Sequence, residues 1–198
     1  MKKLILFNSA VTAQNCLQTC YVYWAGLLDI MIPTWIDGVL QPVEKLEAHQ
    51  RGLRHKAVSV FVMNGSHTLL QRRTLKKYHT PGLWTNSCCT HPKWKELGLN
   101  CAQRRLQEEL GIIGVEPQYI DTIEYRAEVP PGLIENEVVE IFVANFTSVT
   151  IRPNPDEVMD YCWETLEDLN SKVASQPNIY TPWLKIYLQK YADKIFKV

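Results

Sequence analysis

The sequence has no apolar run of the roughly 18 residues that a bilayer-spanning helix needs. The stretch from Tyr21 to Pro33 is apolar but short, and Asp29 interrupts it. The start, MKKLILFNSAVTA, carries two lysines like a signal peptide, but Leu4 to Phe7 falls short of the roughly 7–15 residues of a signal's apolar core. Surplus charge of either sign is also missing: Lys plus Arg and Asp plus Glu number 21 each. That balance gives no support for broad nucleic-acid binding, although it allows a local basic site. The six cysteines, Cys16, Cys20, Cys88, Cys89, Cys101 and Cys162, make no repeated CxxC framework. Free thiols in a reducing cytoplasm are therefore expected. Internal repeats and low-complexity tracts are absent as well. What remains is a 198-residue chain with the size of one domain, able to bury roughly 70% of its unfolded surface and needing no disulfide to hold a core.

The pattern along the chain sets residues 1–30 apart as an extension that packs on the domain or stays loose, and residues 31–198 as the domain. Met31 to Ile36 reads as a strand closed by a turn at Asp37-Gly38. Glu44 to His55 reads as a short helix with a loop at Gly52. Ala57 to Met63, AVSVFVM, is rich in β-branched residues and predicts a strand. Asn64-Gly65 predicts a turn, and Thr68 to Arg73 the return strand. Leu83 to Cys89 is extended and leads into a loop at Thr90 to Pro92. Asn100 to Leu110 is the clearest helix, with Asn100 and Gln103 as a capping pair and Gly111 just past its end. Glu135 to Phe146 and Val158 to Trp163 read as strands. Thr165 and Asp168 cap a helix from Leu166 to Ala174. Trp183 to Ile195 reads as one amphipathic helix. Strands and helices mix without regular alternation, which indicates an α+β sandwich.

Within the clearest helix lies RRLQEELGI, Arg104 to Ile112. It resembles the second half of the Nudix motif, R-E-U-x-E-E-x-G-U with U apolar, and Glu96 stands where that motif places its first glutamate. Carboxylates on one helix can hold a hard divalent cation, which in turn binds a diphosphate. Taken alone, the same residues also describe a solvated helix with ion pairs Arg104–Glu108 and Arg105–Glu109. Two positions depart from the motif: Thr90 stands for its glycine and Arg105 for the glutamate after its arginine. Nudix hydrolases use that glutamate in their metal cluster.

Further segments resemble one branch of the superfamily, the type 1 isopentenyl diphosphate isomerases. They are KLEAHxxxxxH (Lys45 to His55), GLWTNSCCTHP (Gly82 to Pro92), EYRA (Glu124 to Ala127), ENE (Glu135 to Glu137), DEVMDYCW (Asp156 to Trp163) and YTPW (Tyr180 to Trp183). They run in family order from about Glu44 to Trp183. The resemblance implies a Nudix-type α/β/α sandwich with a mixed central sheet. It also implies an enzyme that interconverts isopentenyl and dimethylallyl diphosphate in isoprenoid biosynthesis, without flavin. By it, Cys89 and Glu137 form the proton-transfer pair, Tyr125 assists Glu137, and Trp183 covers the cationic intermediate. His49, His55, His91, Glu135 and Glu137 are implied as ligands of Zn²⁺ or Mn²⁺. Glu109 and the Cys89 backbone carbonyl are implied as ligands of Mg²⁺. Lys45, Arg73 and Lys77 align with contacts to the diphosphate, and Arg105 adds to them.

His67 and His79 match no pattern and are expected on the surface. Cys88 is expected to be a small buried hydrophobe. The implied partner is a small isoprenoid diphosphate, with no nucleic acid and no membrane span. The protein is expected in the cytoplasm, as a monomer with a dimer left open. Two other functions stay open at this point: a Nudix hydrolase of a nucleoside or other diphosphate, and a metal-binding Nudix module without catalysis.

Overall fold

The computed structural model describes residues 31–146 and 150–196. The expectations for residues 1–30 lie outside them. β1 (Met31–Ile36) and β2 (Val39–Glu44) form a hairpin through Asp37 and Gly38, both at positive φ. α1 (Lys45–Arg51) follows, then β3 (His55–Asn64), β4 (His67–Arg73), β5 (Trp84–Asn86) and β6 (Cys88–Thr90). α2 (Gly98–Leu110), β7 (Gln118–Val129), β8 (Leu133–Asn145) and β9 (Val158–Thr165) come next. α3 (Leu166–Ser175), α4 (Pro182–Lys190) and α5 (Ala192–Ile195) complete the order.

The nine strands among the described residues belong to one sheet, with β2-β1-β3-β4-β5 as neighbours in that order, β6 and β8 on β3, β7 on β8, and β9 on β4. Among the described residues, β3 with β8 is the one parallel pairing between named strands. The sheet is therefore mixed, and helices cover both faces. The period of two along β3 sorts its side chains. Val58, Val60 and Val62 pack against Cys101, Ala102, Leu106 and Leu110 of α2. Ala57, Phe61 and Met63 pack with Leu169 of α3 and Trp183, Leu184, Tyr187 and Leu188 of α4. Each such large side chain, fully buried, stabilises the fold by about 1.5–3 kcal/mol. The α/β/α sandwich expected of the Nudix resemblance is what forms.

Several boundaries differ from expectation. α2 starts at Gly98, so Asn100 lies inside it, and the cap position is Leu97 without a side-chain hydrogen bond. Gly98 fits there because an added Cβ would meet Glu140 Oε2 at 1.9 Å. The expected C-terminal helix is two pieces, because Tyr191, at φ −133°, leaves helical geometry between α4 and α5. β2 and β7 were not anticipated as strands. Thr165 does cap α3, accepting from the Asp168 N–H.

Candidate active site

The sheet builds the site from one row of residues. On β8, Glu135 and Glu137 share the face of Val139 and Ile141, which packs toward α4. Parallel pairing sets His55 of β3 opposite Glu137, and antiparallel pairing sets Tyr125 of β7 on its other side. His49 arrives from the last turn of α1. That helix ends at Gly52, whose φ of 61° turns the chain straight into β3. The His49 and His55 rings then lie 4.6 Å apart, centroid to centroid. His91, just past β6, completes the group with ring distances of 4.9 Å to His49 and 5.1 Å to His55.

Ligand atoms of His49, His55, His91, Glu135 and Glu137 all lie within 4.8 Å of one another. Their hydrogen bonding fits a divalent cation. His49 Nδ1 is 2.6 Å from the Lys45 carbonyl oxygen and His55 Nδ1 is 2.7 Å from that of Leu53. Each Nδ1–H is thereby committed, and each Nε2 lone pair faces the group. His49 Nε2, His55 Nε2 and Glu135 Oε2 are buried without a hydrogen-bond partner. Buried polar atoms rarely stay unpaired, and a cation shared among them resolves all three. Five N and O donors of this kind suit a divalent metal.

The electrostatics agree. Burial and the neighbouring Glu137 push the Glu135 carboxyl up, but the His49 and His79 imidazoles, each 3.1 Å away, outweigh them and hold it at about 2. Burial likewise raises Glu137, yet nearby His55 and the Tyr125 hydroxyl bring it below the ordinary range. Burial pushes the His91 imidazole well down, helped by Lys45 and the other two rings, so it stays neutral. Burial works against charge on His49 too, but there Glu135 prevails and raises it.

Beside this cluster is a cavity of about 30 Å³, room for one or two waters. Cys89, His91, Glu135, Glu137 and Trp183 line it, together with the cationic Lys45, Arg73, Lys77 and Arg105. Cys89 faces Ser59 across the β3–β6 pairing, and the Ser59 hydroxyl is 3.2 Å from its sulfur and 2.8 Å from Tyr187 Oη. Burial, with Glu137 adding to it, pushes the Cys89 thiol well up. Tyr125 Oη donates to Glu137 Oε2 at 2.5 Å. Trp183 is 1% exposed and its indole N–H donates to Thr85 Oγ1 at 2.7 Å, which fixes the ring.

The cations crowd one another. The Lys45 ammonium is lowered to about 8 by burial and then by Lys77 and Arg105. Arg73 donates to the backbone oxygens of His79 and Thr80 and lies 5.4 Å over the Trp183 ring. Lys77 and Arg105 both pair with Glu157.

Most of the expected residues thus meet in one place, while Glu109 stands slightly apart. It is buried but does not line the cavity. Gln71 donates to its Oε2 at 2.8 Å, and Arg105 donates to its Oε1 at 2.5 Å and 3.0 Å. The helix pairs Arg104–Glu108 and Arg105–Glu109 both form, and Arg104 also grips Glu96 through two bonds of 2.7 Å. Cys88 is fully buried, as expected.

One expectation fails outright: His79 is not a surface residue. It is 5% exposed, because the β4–β5 loop folds inward over Arg73. Its Nε2 lies 3.1 Å from Glu135 Oε1. Burial lowers its imidazole to about 4. His67, by contrast, is exposed. Ser59 and Tyr187 also went unrecognised. A lone serine amid the apolar AVSVFVM strand was the available signal for Ser59; nothing local marked His79 or Tyr187.

Comparison with known proteins agrees with this geometry. The NUDIX domain model matches residues 53–184. An isopentenyl-diphosphate Delta-isomerase of Dinoroseobacter shibae is 59% identical over 167 residues, covering 84% of this chain and 95% of that relative. One from Jannaschia sp. is 59% identical over 172 residues, covering 86% and 97%. Among solved structures, a Deinococcus radiodurans protein superposes with a TM-score of 0.63 at 15% identity, over 81% of this chain and 99% of that one. A MutT NUDIX hydrolase from Burkholderia pseudomallei gives 0.54 at 21%, over 70% and 98%. These two likenesses speak for the fold alone. Identity at this level over nearly the full length of the relatives decides the family: the chain belongs to the isopentenyl-diphosphate Delta-isomerases of the NUDIX superfamily.

Proposed function

We propose that the protein interconverts isopentenyl diphosphate and dimethylallyl diphosphate, with Cys89 and Glu137 as the two proton-transfer groups. In the forward direction one group adds a proton to the terminal alkene carbon and the other removes one from the methylene at C2. A tertiary carbocation, or a state close to it, lies between. The observation that carries this reading is that Cys89, Glu137 and Trp183 line one small cavity together with four cationic side chains.

The two groups start in opposite states. Cys89 keeps its proton and Glu137 is ionised. The pair therefore offers one proton to give and one site to receive, as an isomerisation without net proton change requires. After turnover the states are swapped, and either the reverse reaction or exchange with solvent restores them. Tyr125, bonded to Glu137, orients that carboxylate and is placed to pass a proton. The Trp183 ring supplies a π face for developing positive charge, and its bond to Thr85 holds that face still. At about 30 Å³ the cavity is smaller than the substrate, so its walls part to admit it, and the bound substrate displaces the water that would otherwise trap the cation. Lys45, Arg73, Lys77 and Arg105 hold the diphosphate. To do so Lys77 and Arg105 exchange Glu157 for phosphate oxygens, a stronger match for Arg in particular.

His49, His55, His91, Glu135 and Glu137 suit Zn²⁺ or Mn²⁺; Glu109 and the Cys89 backbone carbonyl are the ligands that the family resemblance assigns to Mg²⁺, and to hold it Glu109 would release Gln71 or Arg105. Bound there, the first ion would tune the acidity of Glu137 and the second would neutralise charge on the diphosphate. Residues 31–198 form the catalytic domain, with residues 1–30 as an extension. The protein acts in the cytoplasm, as a monomer or a dimer. No described helix is long and apolar enough to cross a membrane.

Proton NMR of the protein with isopentenyl diphosphate and Mg²⁺ in D₂O tests the reading. Dimethylallyl diphosphate carrying deuterium is expected. Release of phosphate without double-bond migration would replace isomerisation with hydrolysis.

A further inference from the structure

We propose that His79 is a positioning residue of the metal centre, holding one oxygen of Glu135 so that the other is presented to the cation. The inference rests on the metal-centre reading above.

The two oxygens of Glu135 face different ways. Oε1 lies 3.1 Å from His79 Nε2. Oε2 lies 3.1 Å from His49 Nε2, and neither of those two atoms has a hydrogen-bond partner. Oε2 thus belongs to the cluster of candidate ligand atoms, and Oε1 is turned away toward His79. The other ring nitrogen, His79 Nδ1, is buried without a partner. A buried N–H without an acceptor is the costlier arrangement, so the ring proton sits on Nε2 and points at Glu135. A carboxylate tied by an N–H on one oxygen has only the other free for a cation. Such outer hydrogen bonds fix the orientation of a ligand.

The ring is itself held in place. Arg73 donates to the backbone oxygens of His79 and of Thr80, at 3.2 Å each. Thr80 turns the loop with φ at 46°. Trp183 and Tyr78 flank the imidazole, with ring centroids 6.0 and 4.3 Å away. Its backbone and ring are thus both constrained, which is what a residue must have to orient another. His79 is not a further member of the five-residue cluster: its one donor is spent on Glu135. It also connects the two halves of the site, since the same Arg73 that anchors its loop lies over Trp183.

Three variants separate the hydrogen bond from the packing. His79→Phe keeps a ring without the N–H, His79→Gln keeps a donor at similar reach, and His79→Ala keeps neither. Zn²⁺ and Mn²⁺ affinity of the purified full chain is read by competition with a chromophoric chelator, alongside the thermal midpoint of the metal-free protein. His49→Ala serves as the reference for the site itself. The expected result is metal affinity weakened about 10–100-fold in the Phe and Ala variants and largely recovered in Gln, with the metal-free midpoint of Phe close to wild type. Wild-type affinity in His79→Phe overturns the proposal, and so does equal loss in Phe and Gln. If His49→Ala binds the ion as tightly as wild type too, it is the metal-centre reading that has failed.

Discussion

Replacing Glu137 by glutamine removes one charge and little volume, so it probes chemistry with limited disturbance of packing. Glu137 Oε2 accepts from Tyr125 at 2.5 Å, and Oε1 lies 2.9 Å from His91 Nε2 and 3.7 Å from His55 Nε2. Glutamine keeps an oxygen for Tyr125 but turns an amide NH₂ toward the imidazoles. It can neither take up a proton from C2 nor give one back. A positioned acid–base group contributes about 10²–10⁴ in rate, equal to roughly 2.7–5.4 kcal/mol at about 1.36 kcal/mol per tenfold. The assay is kcat by NMR at saturating substrate, with deuterium uptake at C2 followed separately and bound metal counted by mass spectrometry. A fall in kcat of at least about 10²-fold is expected, with exchange at C2 lost in parallel. A variant that keeps its cation and runs within about tenfold of wild type would refute the proton-transfer assignment.

Cys89→Ala should lose isomerisation by about 10²–10⁴-fold while its thermal midpoint stays near wild type, since the change removes a single heavy atom at the wall of an existing cavity; an undiminished NMR rate removes Cys89 from the chemistry. His49→Ala and His91→Ala should each lower the metal-to-protein ratio, and an unchanged ratio excludes them as ligands. Glu135, Glu137 and Glu109 all titrate below the ordinary glutamate value of 4.5 in the folded protein, Glu135 at about 2. A depressed folded value gives stability that is present above the unfolded value and lost as pH falls through the folded one. The urea midpoint of the metal-free protein should therefore drop between about pH 4.5 and about pH 2, and a flat profile there contradicts the shifts. Gly52→Ala puts a Cβ 2.9 Å from Ile134 Cδ1 at a φ of +61°. It should cost about 1–3 kcal/mol, read as a lower urea midpoint, and an unchanged midpoint would show that the helix end tolerates the side chain.

Local patterns that agree with the final packing were readable in the sequence. AVSVFVM became the central strand because both of its faces are covered, so a run without polar alternation was the right signal. Asp37-Gly38 and Gly111 sat where positive φ was needed. β7 was missed because only alternate residues near its end are buried and its exposed face is charged. β2 was missed because it is an exposed edge strand interrupted by Pro42. In the site, the resemblance to the isomerase segments named the three histidines and two glutamates, while the contact that unites them, the pairing of β3 with β8, joins residues far apart in the chain and has no local signature. His79 was beyond such reasoning. Its burial depends on Arg73 gripping the loop from inside, a contact that leaves no periodic trace in the chain.

The parallel pairing of β3 with β8 also orders events in time. His49, His55 and His91 are made early, but Glu137 follows His91 by 46 positions. At about 5–20 residues per second a ribosome needs ~2–9 s to supply it. Through that interval the nascent chain has imidazoles without their carboxylates and a β3 lacking its neighbour. Capture of the ion and closure of the sheet are thus coupled late steps. Chelators added during refolding should therefore slow acquisition of the native state more than they harm protein already folded.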